Sequence, residues 1–254
     1  MFGQWLALPG LAILLTLLLF YGLTALAMYC VSYGRGGRPR LSTFVGIAPP
    51  FLSIPTVLFG LMAGFLASDV WNHAREAARA VLDERDGALA IESISLGMPV
   101  NHTELDSMVH IYVRAVLSDE WATDDERGAP AVQSALEALV REVASPEIAK
   151  EAGTSVQGAL LAAVSRIASA RTTRLALVTN EADEVKWATV LGLAFLAQLG
   201  VAAVHLERPR AQIGALVIFT SCAVVTLSLI AVCERPFEGS YEVSSATLRA
   251  VLPP

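Results

Sequence analysis

Four side chains of the kind that build metal sites fall close together in the stretch NHTELDSMVH: His102, Glu104, Asp106 and His110. Wound as a helix, the stretch places Asp106 and His110 at i and i+4 on one face, a spacing that zinc sites use. Spacing of this kind is equally what an ordinary helix surface shows, and no metal site is expected from it. A second cluster, Asp119, Glu120, Asp124, Asp125 and Glu126 in SDEWATDDER, is oxygen-rich enough to interest calcium. It lacks the ligand order and the glycine of an EF-hand loop, so it reads as a solvated turn between helices. Asn101-His102-Thr103 fits the glycosylation pattern, a match that short sequences make by chance. Cys30, Cys222 and Cys233 all fall in or beside apolar blocks and suggest neither a disulfide framework nor a metal site. With no GxSxG, no phosphate-binding glycine loop and no Cys/His arrangement, no catalytic residue, cofactor or enzymatic activity is expected.

The elements that hold these residues are set by apolar blocks. Hydrophobic residues make up 54% of the 254-residue chain and charged residues only 17%, too apolar for an ordinary soluble domain. The excess lies in four blocks, Trp5 to Tyr33, Ile47 to Ser68, Trp187 to Leu206 and Ala211 to Cys233. Each reaches the roughly 20 residues needed to cross a bilayer. The first has no basic start and no small-residue cleavage site, so it reads as a retained span, not a signal peptide. The sequence therefore predicts an all-α membrane protein with four transmembrane helices in two pairs. Its expected parts are spans one and two (1–71), a soluble helical domain (72–186), spans three and four (187–233) and a C-terminal tail (234–254).

The insert carries 19 of the 24 acidic residues and 11 of the 18 basic ones, a net charge of −8. HAREAARAVLDERDGALAIES, rich in Ala, Arg, Glu and Leu, is expected to continue the second span as helix. TELDSMVHIYVRAVLSDEW predicts a helix opening at Thr103, with Leu105, Met108, Val109, Tyr112 and Val116 on its apolar face. APAVQSALEALVREVAS predicts another, with Pro130 in its first turn. From Ser155 to Lys186 the pattern predicts one long helix running into the third span. On it Arg171 and Arg174, one turn apart, are placed to pair with acids of the insert. The short loops carry Arg35, Arg38, Arg40, Arg208 and Arg210, which by the positive-inside rule favours the cytoplasm for them and the outside for the insert. The insert has Arg75, Arg79, Arg171, Arg174 and Lys186 near the spans, so both orientations stay open.

The second span is sorted around its axis. At about 100° per residue, Thr56, Gly60, Ala63, Gly64 and Ala67 share one side, suited to close helix packing. Ile54, Leu58, Leu61, Met62 and Phe65 share the other, with Asp69 and Asn72 continuing that face toward water. The bulky side faces either lipid or its symmetry mates around a shared axis, where it would form an apolar constriction.

YVRAVLSDEW (Tyr112 to Trp121), SARTTRLAL (Ser169 to Leu177) and ERPFEGSYEVSSATL (Glu234 to Leu248) resemble bestrophin-like membrane proteins of bacteria and plants. The mark is Arg235-Pro236-Phe237-x-Gly239 directly after the last span, here assigned a structural role: Arg235 at the carbonyls ending the span, Pro236 stopping it and Phe237 anchoring at the interface. Ile54-Pro55, Phe59-Gly60, Phe65 and Trp71-Asn72 are similar to the neck helix of the bestrophin anion channels. That resemblance implies a pentameric ion channel with Ile54, Leu58, Leu61, Met62, Phe65 and Asp69 lining the pore, and a soluble domain in the cytosol. The implied partners are the lipid bilayer, further copies of the chain and permeating ions, with no nucleic acid, in a cell membrane such as the bacterial inner membrane. The acidic insert favours cations and the resemblance favours anions. A non-conducting membrane scaffold or sensor, its insert bound to a partner, is the alternative.

Overall fold

The computed structural model describes residues 2–34, 49–98, 102–121, 128–178, 183–237 and 242–253. Arg35, Arg38, Arg40, Asn101, Asp124, Asp125, Glu126 and Gly239 lie outside the described residues, as does the side chain of His102. The helices are α1 Phe2–Leu6, α2 Gly10–Tyr33, α3 Pro49–Ser95, α4 His102–Ala115, α5 Pro130–Val143, α6 Pro146–Ala152, α7 Thr154–Val178, α8 Glu184–Val204, α9 Pro209–Val232 and α10 Ala246–Arg249. No strand occurs among the described residues, and four helices are long and apolar enough to cross a membrane. The protein is an all-α membrane protein.

Three boundaries depart from expectation, each for a local reason. The first apolar block is not one helix: Pro9 takes an extended conformation (φ −54°, ψ 143°), so the short α1 ends before it and α2 starts at Gly10. The insert does not run into the third span as one helix. Asp183 is extended, and its Oδ1 accepts the Val185 and Lys186 amides at 3.0 and 3.1 Å, starting α8 afresh. Thr103 lies inside α4, which begins at His102.

The chain divides into two compact units. The first comprises 1–72, 181–235 and 239–241; the second comprises 73–180, 236–238 and 242–254. In the first, α2 packs on α9 and α8, and α8 packs on α9. Lipid tails supply no hydrophobic drive to join helices, so close packing and interhelical hydrogen bonds must do so. Gln198 provides the latter from a fully buried position. Its Nε2 donates to the Tyr21 carbonyl (2.9 Å) and to Thr220 Oγ1 (2.8 Å), while its Oε1 accepts from Thr24 Oγ1 (2.7 Å). Gln212 repeats the device one end further on, donating to the Ala202 carbonyl at 2.7 Å.

In the second unit α4 packs on α5, α5 on α7, and α6 on α7. Leu105, Val109, Tyr112 and Val116 are all fully buried, so the predicted apolar face of α4 is the face that meets the core. At Gly87 a Cβ would stand 2.7 Å from Ile167 Cγ1 and 3.1 Å from the Ala163 carbonyl, so α3 and α7 approach to backbone contact there. Leu248 and Val251 near the C-terminus are buried in the same core. Phe237 is buried there as well, with its ring 6.0 Å from Trp121 in an edge-to-face contact. This corrects the expectation of an interfacial anchor: an aromatic neighbour and apolar surroundings hold the ring better than a wet boundary.

Candidate functional site

Two arrangements of residues stand out, one in each unit. The first is the apolar half of α3. Phe59, Ala63, Leu66 and Val70 recur at helical spacing and are buried in the first unit's core, with Phe59 6.0 Å from Phe219 of α9. Opposite them, Ile54, Leu58, Leu61 and Phe65 are exposed, Phe65 at 62%. Met62 is half-buried against the core. On the small side Ala63 is buried in that core, but Gly60 and Gly64 are exposed, and a Cβ built on either meets nothing within 4 Å among the described residues. At about 100° per residue the stripe that packs lies about 75° around the helix from the centre of the small side, because aromatic and branched side chains bury more area than glycine offers. The unfilled arc of α3 therefore holds both a bulky sector and a glycine sector.

Asp69 closes the bulky sector, one helical turn after Phe65. Its Oδ2 lies 2.7 Å from Lys186 Nζ near the start of α8, and both side chains are close to half-exposed. Lys186 also stands 3.6 Å from Asp183. The carboxylate at the end of this face is thus paired with an ammonium from another helix.

The second arrangement is buried. Glu84 sits in an otherwise apolar stripe of α3 formed by Ala77, Val81, Ala88 and Ile91, and is fully buried. Arg174 of α7 reaches it with Nε at 2.8 Å from Oε2, and gives Nη2 to Glu120 Oε1 at 2.7 Å. Arg171 donates Nη2 to Glu120 Oε2 at 2.6 Å and Nη1 to Gln133 at 2.6 Å. Tyr112 donates its hydroxyl to Glu84 Oε1 at 2.6 Å, and the Ala129 amide donates to Glu120 Oε2 at 3.0 Å. Two carboxylates and two guanidinium groups make a buried set of zero net charge. That balance is what allows four ions to leave water.

Glu120 reaches this set because α4 ends in a π-helical turn, Val116–Glu120, which leaves Asp119 exposed and turns Glu120 inward. The solvated-turn reading of SDEW is therefore wrong for Glu120, which is 1% exposed. Burial alone would raise its carboxyl, but the Arg171 hydrogen bonds and the Arg174 charge override that and hold it below the usual carboxylate value. Burial would lower Arg174, yet the Glu84 charge and hydrogen bond and the Glu120 charge leave it above its ordinary value. Burial first, then the Glu84 carboxylate, push the Tyr112 phenol well up, so it stays a neutral donor. Trp121 lies under the Arg174 guanidinium, 5.8 Å from ring centroid to Cζ. Trp121 in turn meets Phe237. The three stretches that carry the family resemblance thus converge on one cluster.

The expected pairing of Arg171 and Arg174 with acids of the insert is what the structure shows. Glu84 went unrecognised in the sequence, although an acid inside an apolar helical stripe was the signal for it. Asp106 and His110 do share a face, but each is engaged by α3: Ser95 Oγ donates to Asp106 at 2.6 Å, and His110 Nε2 lies 3.1 Å from Glu92. Among the described residues no three His, Cys, Asp or Glu side chains converge as a metal site. Cys30 and Cys222 are exposed and Cys233 is buried, all as free thiols.

A profile of the bestrophin-like domain matches residues 18–248. Among solved structures, a point variant of a bacterial bestrophin homologue from Klebsiella pneumoniae superposes with a TM-score of 0.70 at 16% identity, covering 94% of this chain and 96% of that one. A point variant of a membrane protein gives 0.70 at 15% identity, with 94% and 95% covered. A second Klebsiella pneumoniae variant also gives 0.70 at 15%, covering 93% and 95%. No curated protein matches the chain.

Proposed function

This chain belongs to the bestrophin-like family, and from that premise we propose that it is an oligomeric ion channel of a bacterial inner membrane or an equivalent cell membrane. Several copies, five by analogy with bestrophins, surround an axis. The bulky sector of α3, with Ile54, Leu58, Leu61, Met62 and Phe65, lines an apolar neck ending at Asp69. The observation that carries this reading is the exposure of four large apolar side chains on one face of a helix whose opposite face is fully packed. Lipid alone would accept that face. The glycine sector beside it, open in the single chain, suits a neighbouring subunit's helix approaching closely. An apolar ring of this kind gates by wetting and dewetting, so side-chain volume at the neck controls passage.

The test is reconstitution of purified protein in planar bilayers, beside Ile54→Ala, Leu58→Ala and Phe65→Ala. Wild-type currents are expected, with unitary conductance or open time altered by at least one truncation. Silence of the wild type, or currents indifferent to all three changes, refutes the neck assignment. A monomer or dimer in detergent refutes the ring and favours the non-conducting scaffold.

A further inference from the structure

We propose that Lys186 sets the charge selectivity of the α3 pathway by neutralising Asp69 at the end of the apolar neck; this rests on the channel reading above. Asp69 follows Phe65 by four residues, about 6 Å along the helix, so an ion leaving the apolar ring meets this carboxylate next. A bare carboxylate repeated around an axis is a cation-selecting ring. Here it is not bare. Lys186 Nζ lies 2.7 Å from Asp69 Oδ2, nearer than to Asp183 at 3.6 Å. The lysine is delivered by a fixed element: Asp183 caps α8 through the amides of Val185 and Lys186 itself. The nearby Asp183 charge is directed to that helix start, where backbone amides and the helix dipole accept it. Both members of the pair remain partly open to solvent, with side-chain exposures of 47% and 40%. An exposed pair of this sort adds little to stability. Its consequence is electrostatic: each subunit presents a paired ammonium and carboxylate where the sequence of α3 alone would present an acid.

The experiment uses the full-length protein in bilayers under a salt gradient, reading the reversal potential of wild type, Lys186→Gln, Asp69→Asn, the double variant and the charge-swapped pair Asp69→Lys with Lys186→Asp. Lys186→Gln is expected to raise the cation-to-anion permeability ratio and Asp69→Asn to lower it. Each shift is about threefold or more, since a unit charge a few ångströms away is worth roughly a fivefold change in ion occupancy even in water. The double variant and the swapped pair return the ratio toward wild type, and they also guard against one single variant failing to assemble. Currents that persist with unchanged reversal potentials in both single variants overturn the role of Lys186 and leave the channel standing. Shifts of the same sign in both single variants overturn it too. Absence of current in every form, wild type included, overturns the channel reading and this inference with it.

Discussion

Truncating Arg174 tests whether the buried charge set holds the second unit together. The side chain is fully buried and makes three charge-assisted contacts, at 2.8 and 3.2 Å to Glu84 and 2.7 Å to Glu120. In Arg174→Ala the Glu120 carboxylate keeps Arg171 and the Ala129 amide, but among the described residues Glu84 keeps only the Tyr112 hydroxyl. A buried carboxylate without its cation costs about 3–5 kcal/mol. At about 3 °C per kcal/mol for a chain of this length, the unfolding midpoint should fall by roughly 10 to 15 °C. The assay is thermal unfolding in detergent followed by tryptophan fluorescence, which Trp121 beneath the guanidinium reports directly. The control is Arg166→Ala: that arginine also forms a short pair, 2.6 Å from Asp83, but both side chains are half-exposed. Solvent screens that pair, so its loss should leave the midpoint nearly unchanged. Arg174→Met combined with Glu84→Gln removes one charge of each sign and should be milder than Arg174→Ala alone. Equal, small shifts for Arg174→Ala and Arg166→Ala would refute the reasoning, because burial would then not distinguish the two pairs.

Two further outcomes follow from the same cluster. Because Glu120 ionises in the folded protein at a lower pH than it does unfolded, its contribution is present above the unfolded value and is lost as pH falls through the folded one; stability measured on acidification should drop there, and Glu120→Gln should flatten that part of the profile while lowering stability at neutral pH. Gly128 holds φ at +65°, and a Cβ on it would collide with Arg171 Nη2 and stand 2.6 Å from Glu120 Oε2; Gly128→Ala should therefore cost at least about 1–3 kcal/mol from backbone strain, and a midpoint within 2 °C of wild type, by roughly 3 °C per kcal/mol, would show that the loop relaxes away.

Periodicity and composition made most of the helices readable. The apolar blocks mark the spans because each backbone polar group in lipid must be satisfied within its own helix, leaving few sequences able to cross. The insert helices are readable for a similar local reason: Leu105, Val109, Tyr112 and Val116 follow one stripe, and Pro130 opens α5. Local chemistry also set the breaks at Pro9 and Asp183, which the broader pattern overran. The side of α3 that packs was less readable. A wheel ranks sides by residue type, whereas Phe59, Leu66 and Val70 are buried because the core of the first unit, Phe219 of α9 included, lies on their side.

By itself the sequence determined an all-helical membrane chain, the rough extent of its spans, the acidic helical insert and the arginines one turn apart that seek acids. These follow from interactions within a few residues or from the solvent each segment must enter. Only the tertiary structure decided that Glu84, 90 residues from Arg174, is its partner, and that Glu120 leaves its acidic run for the interior. It also decided that Asp69 meets a lysine 117 residues away. A charge's role depends on which opposite charge lies within a few ångströms and on how much water separates them. Neither distance nor water is written in the order of residues.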